Sequence, residues 1–111
     1  MNALKNRVQL IGNLGINPEI ITLESGKKRA KFSLATNETY KNSAGQKVTD
    51  TQWHNIVAWN KIAEIIEQFL QKGSEVMIEG KLVSRSFEDH EGNKRYITEV
   101  VCNELLMLGN K

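Results

Sequence analysis

Residues 52–59, Gln-Trp-His-Asn-Ile-Val-Ala-Trp, carry both tryptophans of the chain and its clearest chemistry. The stretch is rich in β-branched and aromatic side chains and free of Gly and Pro, which predicts a strand. Strand side chains alternate, so Trp53, Asn55, Val57 and Trp59 share one face, and His54, Ile56 and Ala58 share the other. At about 3.3 Å per residue the two indoles stand roughly 20 Å apart along one surface. Ile56 and Ala58 suit a core, so the indoles face out, although Trp59, at the strand end, can also lie under a helix. Two outward indoles on a small protein need a reason, and stacking on nucleobases is the leading candidate.

The remaining aromatics divide in two. Phe32, Phe69 and Tyr96 fit core or hairpin packing. Tyr40 falls in a polar stretch and Phe87 on an outward strand face, both near basic residues. Tyr40, Trp53, Trp59 and Phe87 are therefore the candidate stacking platforms, at about 1–3 kcal/mol per base. Arg7, Lys61, Lys72 and Arg85 are the cations best placed to neutralise phosphates beside them. An isolated aromatic is ordinarily a packing residue, against its own chain or a second subunit. Here Arg85 and Phe87 share one face and the two tryptophans another, which favours the stacking reading.

Catalytic chemistry finds little support. There is one cysteine, and the two histidines, His54 and His90, lie too far apart in sequence for a metal-spaced cluster. Glu88, Asp89 and Glu91 gather at a hairpin tip, where solvated acids are ordinary. No phosphate-binding Gly-rich motif occurs. A non-enzymatic protein without metal or other cofactor is expected. His54 opposes the tryptophans and suits packing or an interface. Cys102, inside Val100-Val101-Cys102, reads as a reduced structural thiol.

The elements that must position these residues follow from periodicity. Residues 4–14 alternate as strand one, with Leu4, Val8, Leu10 and Leu14 on one face. Gly15 and Asn17-Pro18 end it. A short extended run, 19–24, turns at Ser25-Gly26-Lys27 into a strand over 29–37. That strand places Ala30, Phe32 and Leu34 on the core side and Arg29, Lys31, Ser33 and Ala35 on the other. Residues 38–51 are polar and predict a long mobile loop. The tryptophan strand leads into one helix with Asn60 as N-cap, an apolar stripe of Ile62, Ile65, Ile66, Phe69 and Leu70, and Gly73 as its stop. Residues 75–89 and 95–103 form a long hairpin, and Gly80 predicts a bulge. Five short strands, the second in two pieces, with a helix between the third and fourth, is the order of an OB-fold barrel.

At 111 residues, 40% hydrophobic and 25% charged, the chain makes one globular domain, residues 1–111. The net charge of +2 is mild, so the placement of basic groups matters more than their excess. No apolar run reaches membrane-span length and the first residues lack a signal-peptide core, so a cytoplasmic protein is expected.

An ordered series of motifs across nearly the whole chain resembles the DNA-binding core of the bacterial single-stranded-DNA-binding protein family. It comprises Asn6-Arg7-Val8, Gly12-Asn13-Leu14, Asn17-Pro18-Glu19, Leu34-Ala35-Thr36, Trp53-His54 and Lys61-Ile62-Ala63-Glu64. Leu70-Gln71-Lys72-Gly73-Ser74, Ile78-Glu79-Gly80-Lys81-Leu82 and Arg95-Tyr96-Ile97-Thr98-Glu99-Val100 complete it. The resemblance implies an OB-fold homotetramer that binds and protects single-stranded DNA in replication, recombination and repair. It assigns the stacking positions to Tyr40, Trp53, Trp59 and Phe87, and puts His54 and strand one at subunit interfaces. Asn55 and Ser86 stand where basic residues are frequent, implying a weaker electrostatic grip. The family usually continues into a flexible linker and an acidic tip that recruits other enzymes. No such segment occurs before Lys111, so tail-mediated partners are not expected of these residues. The alternatives are another OB module, primosome-type or RNA-binding, and an assembly module whose aromatics make protein contacts.

Overall fold

The computed structural model describes residues 5–108. Leu4 of the expected first strand and the chain's last residues lie outside that range. The elements are β1 (Val8–Leu14), β2 (Glu19–Thr22), β3 (Lys28–Lys41), β4 (Lys47–Trp59), α1 (Asn60–Phe69), β5 (Glu75–Glu88) and β6 (Lys94–Met107).

The strands hydrogen-bond in the order β1-β5-β6-β4-β3-β2, and β1 also returns to β3 at Asn13↔Ala35 and Leu14↔Leu34. That last pairing closes β1, β3, β4, β5 and β6 into a five-stranded barrel, with β2 running along β3 as the separate piece. β4 and β6 meet in parallel through Ile56↔Val100 and Val57↔Val101. Closure needs one strand to bend sharply. Gly80 supplies the bend: the β5–β6 register shifts between Glu79 and Gly80, and a Cβ at Gly80 would lie 2.2 Å from the Val101 carbonyl oxygen.

Alternation sorts the strands as expected. Ala30, Phe32, Leu34, Ile56, Ala58, Val76 and Ile78 are buried inside, and α1 plugs one end through Ala63 and Ile66 with Leu70 just beyond. Two aromatics expected in packing are instead open: Phe69 is 60% exposed and Tyr96 71%. At 100° per residue Phe69 lies about 90° round the helix from the Ala63–Ile66–Leu70 stripe, off the buried side. Tyr96 belongs to a part of the β5–β6 hairpin that has left the barrel. The helix also starts differently. Trp59 holds the cap position with no side-chain hydrogen bond, and Asn60 takes a φ of 57°, a left-handed conformation that Asn tolerates. Gly73, with φ 93°, shapes the turn after the helix rather than its final residue.

The polar stretch 38–51 is not a loop. β3 and β4 continue through it as a two-stranded ribbon in unbroken register from Thr36↔Gln52 to Lys41↔Lys47. Only residues 42–46 turn, clasped by the Asn42 side chain, which accepts hydrogen bonds from the Ala44 and Gln46 amides at 2.9 and 3.0 Å. Thr51 donates across the ribbon to Asn37 at 2.6 Å. With both faces in water the ribbon has no apolar side, so its sequence lacks the signature of a half-buried strand. The β5–β6 hairpin projects similarly. Asp89 at its tip is a turn clasp rather than a merely solvated acid. It accepts from the Glu91 and Asn93 amides and Arg95 Nε, all at 2.9 Å, and Arg95 foremost holds it below the usual carboxylate range. These projections explain a radius of gyration of 16.1 Å, where about 13 Å is expected for a compact chain of this length.

Cys102 is buried, and burial pushes its thiol up to about 11. Because the thiol ionises near 8.5 when the chain is unfolded, its contribution to stability is complete below that pH and is lost as pH rises towards 11. A thiol-specific dye at pH 8 is expected to leave the folded protein unlabelled and to label one thiol per chain in urea; rapid native labelling would contradict this burial.

Candidate nucleic-acid interface

The outward residues of β3, β4, β6 and β5 form one continuous surface, and its main landmark is Trp53. The indole is 61% exposed, and it does not hang free. Gly15, joined to β3 through its amide to the Ser33 carbonyl at 2.9 Å, lies directly beneath the ring. A Cβ at Gly15 would stand 2.4 Å from Trp53 Cζ3 and 3.1 Å from Ser33 Oγ. A bare backbone is therefore needed for the ring to rest where it does. Beside it, Ile16, Glu19, Lys31, Ser33 and Asn55 line a groove of about 140 Å³. Gly15→Ala should push the indole from its rotamer at a cost of about 0.5–1.5 kcal/mol to whatever ligand needs that ring position. A titration of Gly15→Ala against Trp53→Ala and the double variant checks this, since the two losses should overlap rather than add.

The other aromatics fall into place unequally. Phe87, 44% exposed, shares the outward side of β5 with Arg85. Trp59 is half-buried, opposite Arg29 across the β3–β4 pair. Tyr40 is 53% exposed, yet the unbroken register puts it on the side of the ribbon opposite Trp53. Register thus puts Trp53, Trp59 and Phe87 on the outward sides of their strands, and Tyr40 on the opposite side of the β3–β4 ribbon. His54 lies on the inner side, half-buried, with Nε2 3.0 Å from Thr36 Oγ1.

Of the four cations singled out, two are already engaged. Arg7 Nη2 donates to Glu79 at 2.9 Å, and Gln9 joins the same carboxylate oxygen at 3.2 Å. Gln9 first and Arg7 next hold Glu79 below the usual carboxylate range. Glu79 and Arg85 are six residues apart on β5, about 20 Å, so Arg7 is remote from the Arg85–Phe87 end. Arg85 meets Glu99 through both Nε and Nη2 at 3.2 Å, which raises its own affinity for its proton. Lys61 and Lys72 are exposed and have no ion-pair partner among the described residues. Lys61 is the second residue of α1, two residues after Trp59. The Lys72 amide donates to Asn17 at 2.8 Å, beside the loop that Gly15 begins.

Three residues of this surface were not among the expected site residues. Gly15 shows in the sequence only as a strand terminator, because a close approach to a ring from another strand leaves no local trace. Lys31 falls on the correct face by alternation, which gives it no role. Glu99, a lone acid beside Val100 and Val101, was the available signal for a buried charge.

A closed five-stranded barrel with one helix at its end and an aromatic, cation-flanked outer face defines an OB-type ligand-binding domain. The chain matches the Single-strand binding protein family over residues 5–108. It is 49% identical over 107 residues to single-stranded DNA-binding protein 1 of Chlorobaculum tepidum, covering 96% of this chain and 66% of the relative. A protein of the same name from Xylella fastidiosa is 46% identical over 107 residues, covering 96% of this chain and 79% of that one. In structure it is similar to the Plasmodium falciparum SSB seen in complex with ssDNA. The TM-score is 0.86 and the identity 34%, over 94% of this chain and 95% of the other. This chain belongs to the single-strand binding protein family.

Proposed function

We propose that this protein binds single-stranded DNA without reading its sequence, and protects it during replication, recombination and repair. The observation that carries the proposal is Trp53: a ring more than half exposed, held over Gly15 on a face that also presents Trp59, Phe87 and a lysine groove. Stacking serves any base, and the cations serve the backbone. Lys61 and Lys72 are the phosphate contacts; Arg7 and Arg85 join them only by leaving Glu79 and Glu99. A strand that also used Tyr40 would pass round the β3–β4 ribbon. No enzymatic step is required. Among the described residues no helix is long and apolar enough to cross a membrane. The same proposal puts the protein in the bacterial cytoplasm with the nucleoid. Titrating intrinsic Trp fluorescence with oligo(dT) tests the reading, because stacking quenches the indoles. Emission that stays flat would refute it, and tighter binding of RNA would favour an RNA-binding module instead.

The same reading includes a homotetramer. The outer faces of β1, β5 and β6 align Ile11, Met77 and Leu106 in one cross-sheet row, with Ile11 53% and Leu106 58% exposed. A groove of about 310 Å³ lies along Met77 and Leu106. Among the described residues Val8 to Ile11 of β1 pair with β5 alone, which supports strand pairing between subunits along the other edge. His54 is the further interface residue the family resemblance puts forward. Leu106→Glu is expected to lower the mass seen by light scattering to that of a smaller assembly; an unchanged mass would place the interface elsewhere.

A further inference from the structure

The outer face of the barrel contains one charge that works against a polyanion. Glu99 of β6 points outward with Val101, yet its side chain is only 7% exposed. It is covered by cations from two other strands: Arg85 of β5 on both oxygens at 3.2 Å, and Lys31 of β3 with Nζ 3.9 Å from Oε2. Lys31 stands opposite Val57 of β4, which stands opposite Val101, so the ion group bridges the sheet across β4. Lys31 also lines the groove with Ser33, whose carbonyl accepts from the amide of Gly15, the support of Trp53. A buried ion group of this kind gives little net stability compared with apolar residues of the same size. Its position in the middle of the binding face therefore asks for another role.

The Arg85 fork meets a carboxylate in the same two-point geometry that it would use for a phosphate. We propose that Glu99 is an internal phosphate mimic that withholds Arg85 and Lys31 from the DNA backbone, so that affinity leans on stacking and the strand can be released. The inference rests on the reading of this face as the single-stranded-DNA surface. A phosphate arriving at the site must displace a carboxylate already in place, and the displaced charge then repels it. Arg85 and Lys31, though basic and well placed, add less to binding than their number suggests.

The test is binding of poly(dT) by the full chain and by Glu99→Gln, a neutral side chain of nearly the same shape, over a tenfold range of salt. Each phosphate contact adds about 0.7 to the log–log salt slope on a single strand, so release of one or two cations should steepen it by about 0.7–1.4. Glu99→Gln should bind more tightly than the parent at the lowest salt. That advantage should shrink about 5- to 25-fold across the range. Adding Arg85→Gln should cancel about 0.7 of the extra slope in the Glu99→Gln background and less in the parent. An unchanged or shallower slope, or weaker binding, would overturn the proposal and make Glu99 a residue that aims Arg85 at phosphate. Glu99→Leu provides a second route if the amide disturbs the fold, and unfolding of both variants would assign the ion group to structure alone. Failure of the parent to bind poly(dT) would refute the functional reading itself, which is a separate outcome.

Discussion

Trp53→Ala is expected to weaken binding of poly(dT) by about 1–3 kcal/mol, roughly 5- to 150-fold, and to leave folding and assembly intact. The expectation follows from where the ring's contacts lie. One edge rests on Gly15 and most of the ring meets solvent, so removing it opens no cavity in the barrel. Its cross-strand partner is Ala35, a methyl side chain that needs no polar partner if the indole is removed. What disappears is a stacking platform at the centre of the face. Fluorescence cannot report this variant through Trp53, so the loss is read by anisotropy of a labelled oligo(dT), with light scattering and a urea melt alongside. Unfolding on substitution would mean that the indole is a core residue; an unchanged affinity would mean that bases stack elsewhere.

Ile56→Ala should show the reverse. Three residues further along the same strand, Ile56 is fully buried and pairs with Phe32 on one side and Val100 on the other. Truncation of a buried Ile to Ala removes its transfer energy and leaves a cavity that a closed barrel cannot easily collapse, for a loss of about 2–5 kcal/mol. At a fixed protein concentration the urea midpoint should fall accordingly, while the molecules that remain folded bind oligo(dT) with an affinity close to the parent's. A variant that lost affinity but kept its midpoint would invert the two faces of β4. Together the pair of substitutions tests whether one side of β4 serves the ligand while the other serves the core.

Much of this was legible from residue order because alternation is a local property. Trp53 and Ile56 were assigned to opposite faces from spacing alone, and the barrel order followed from counting strands around a single apolar helix. Gly80 was legible for the same reason, since a glycine in mid-strand is a local anomaly with few explanations. The β3–β4 ribbon was not. Its strands hold each other by backbone pairing with water on both sides, so no apolar period marks them, and a polar stretch with one turn motif looked like a loop. Phe69 was misplaced because an apolar stripe is wider than the patch of barrel that α1 covers.

The order of the residues thus determined the faces of the barrel strands and the plug, each through contacts within a few positions of the chain. Only the tertiary structure decided which cations remain available. Arg7 and Arg85 are held by Glu79 and Glu99, residues 72 and 14 positions away, and ion pairing across strands depends on register and barrel closure. It likewise decided that Gly15 supports Trp53 and that Tyr40 faces away from it, because both depend on how separate strands come to lie beside one another.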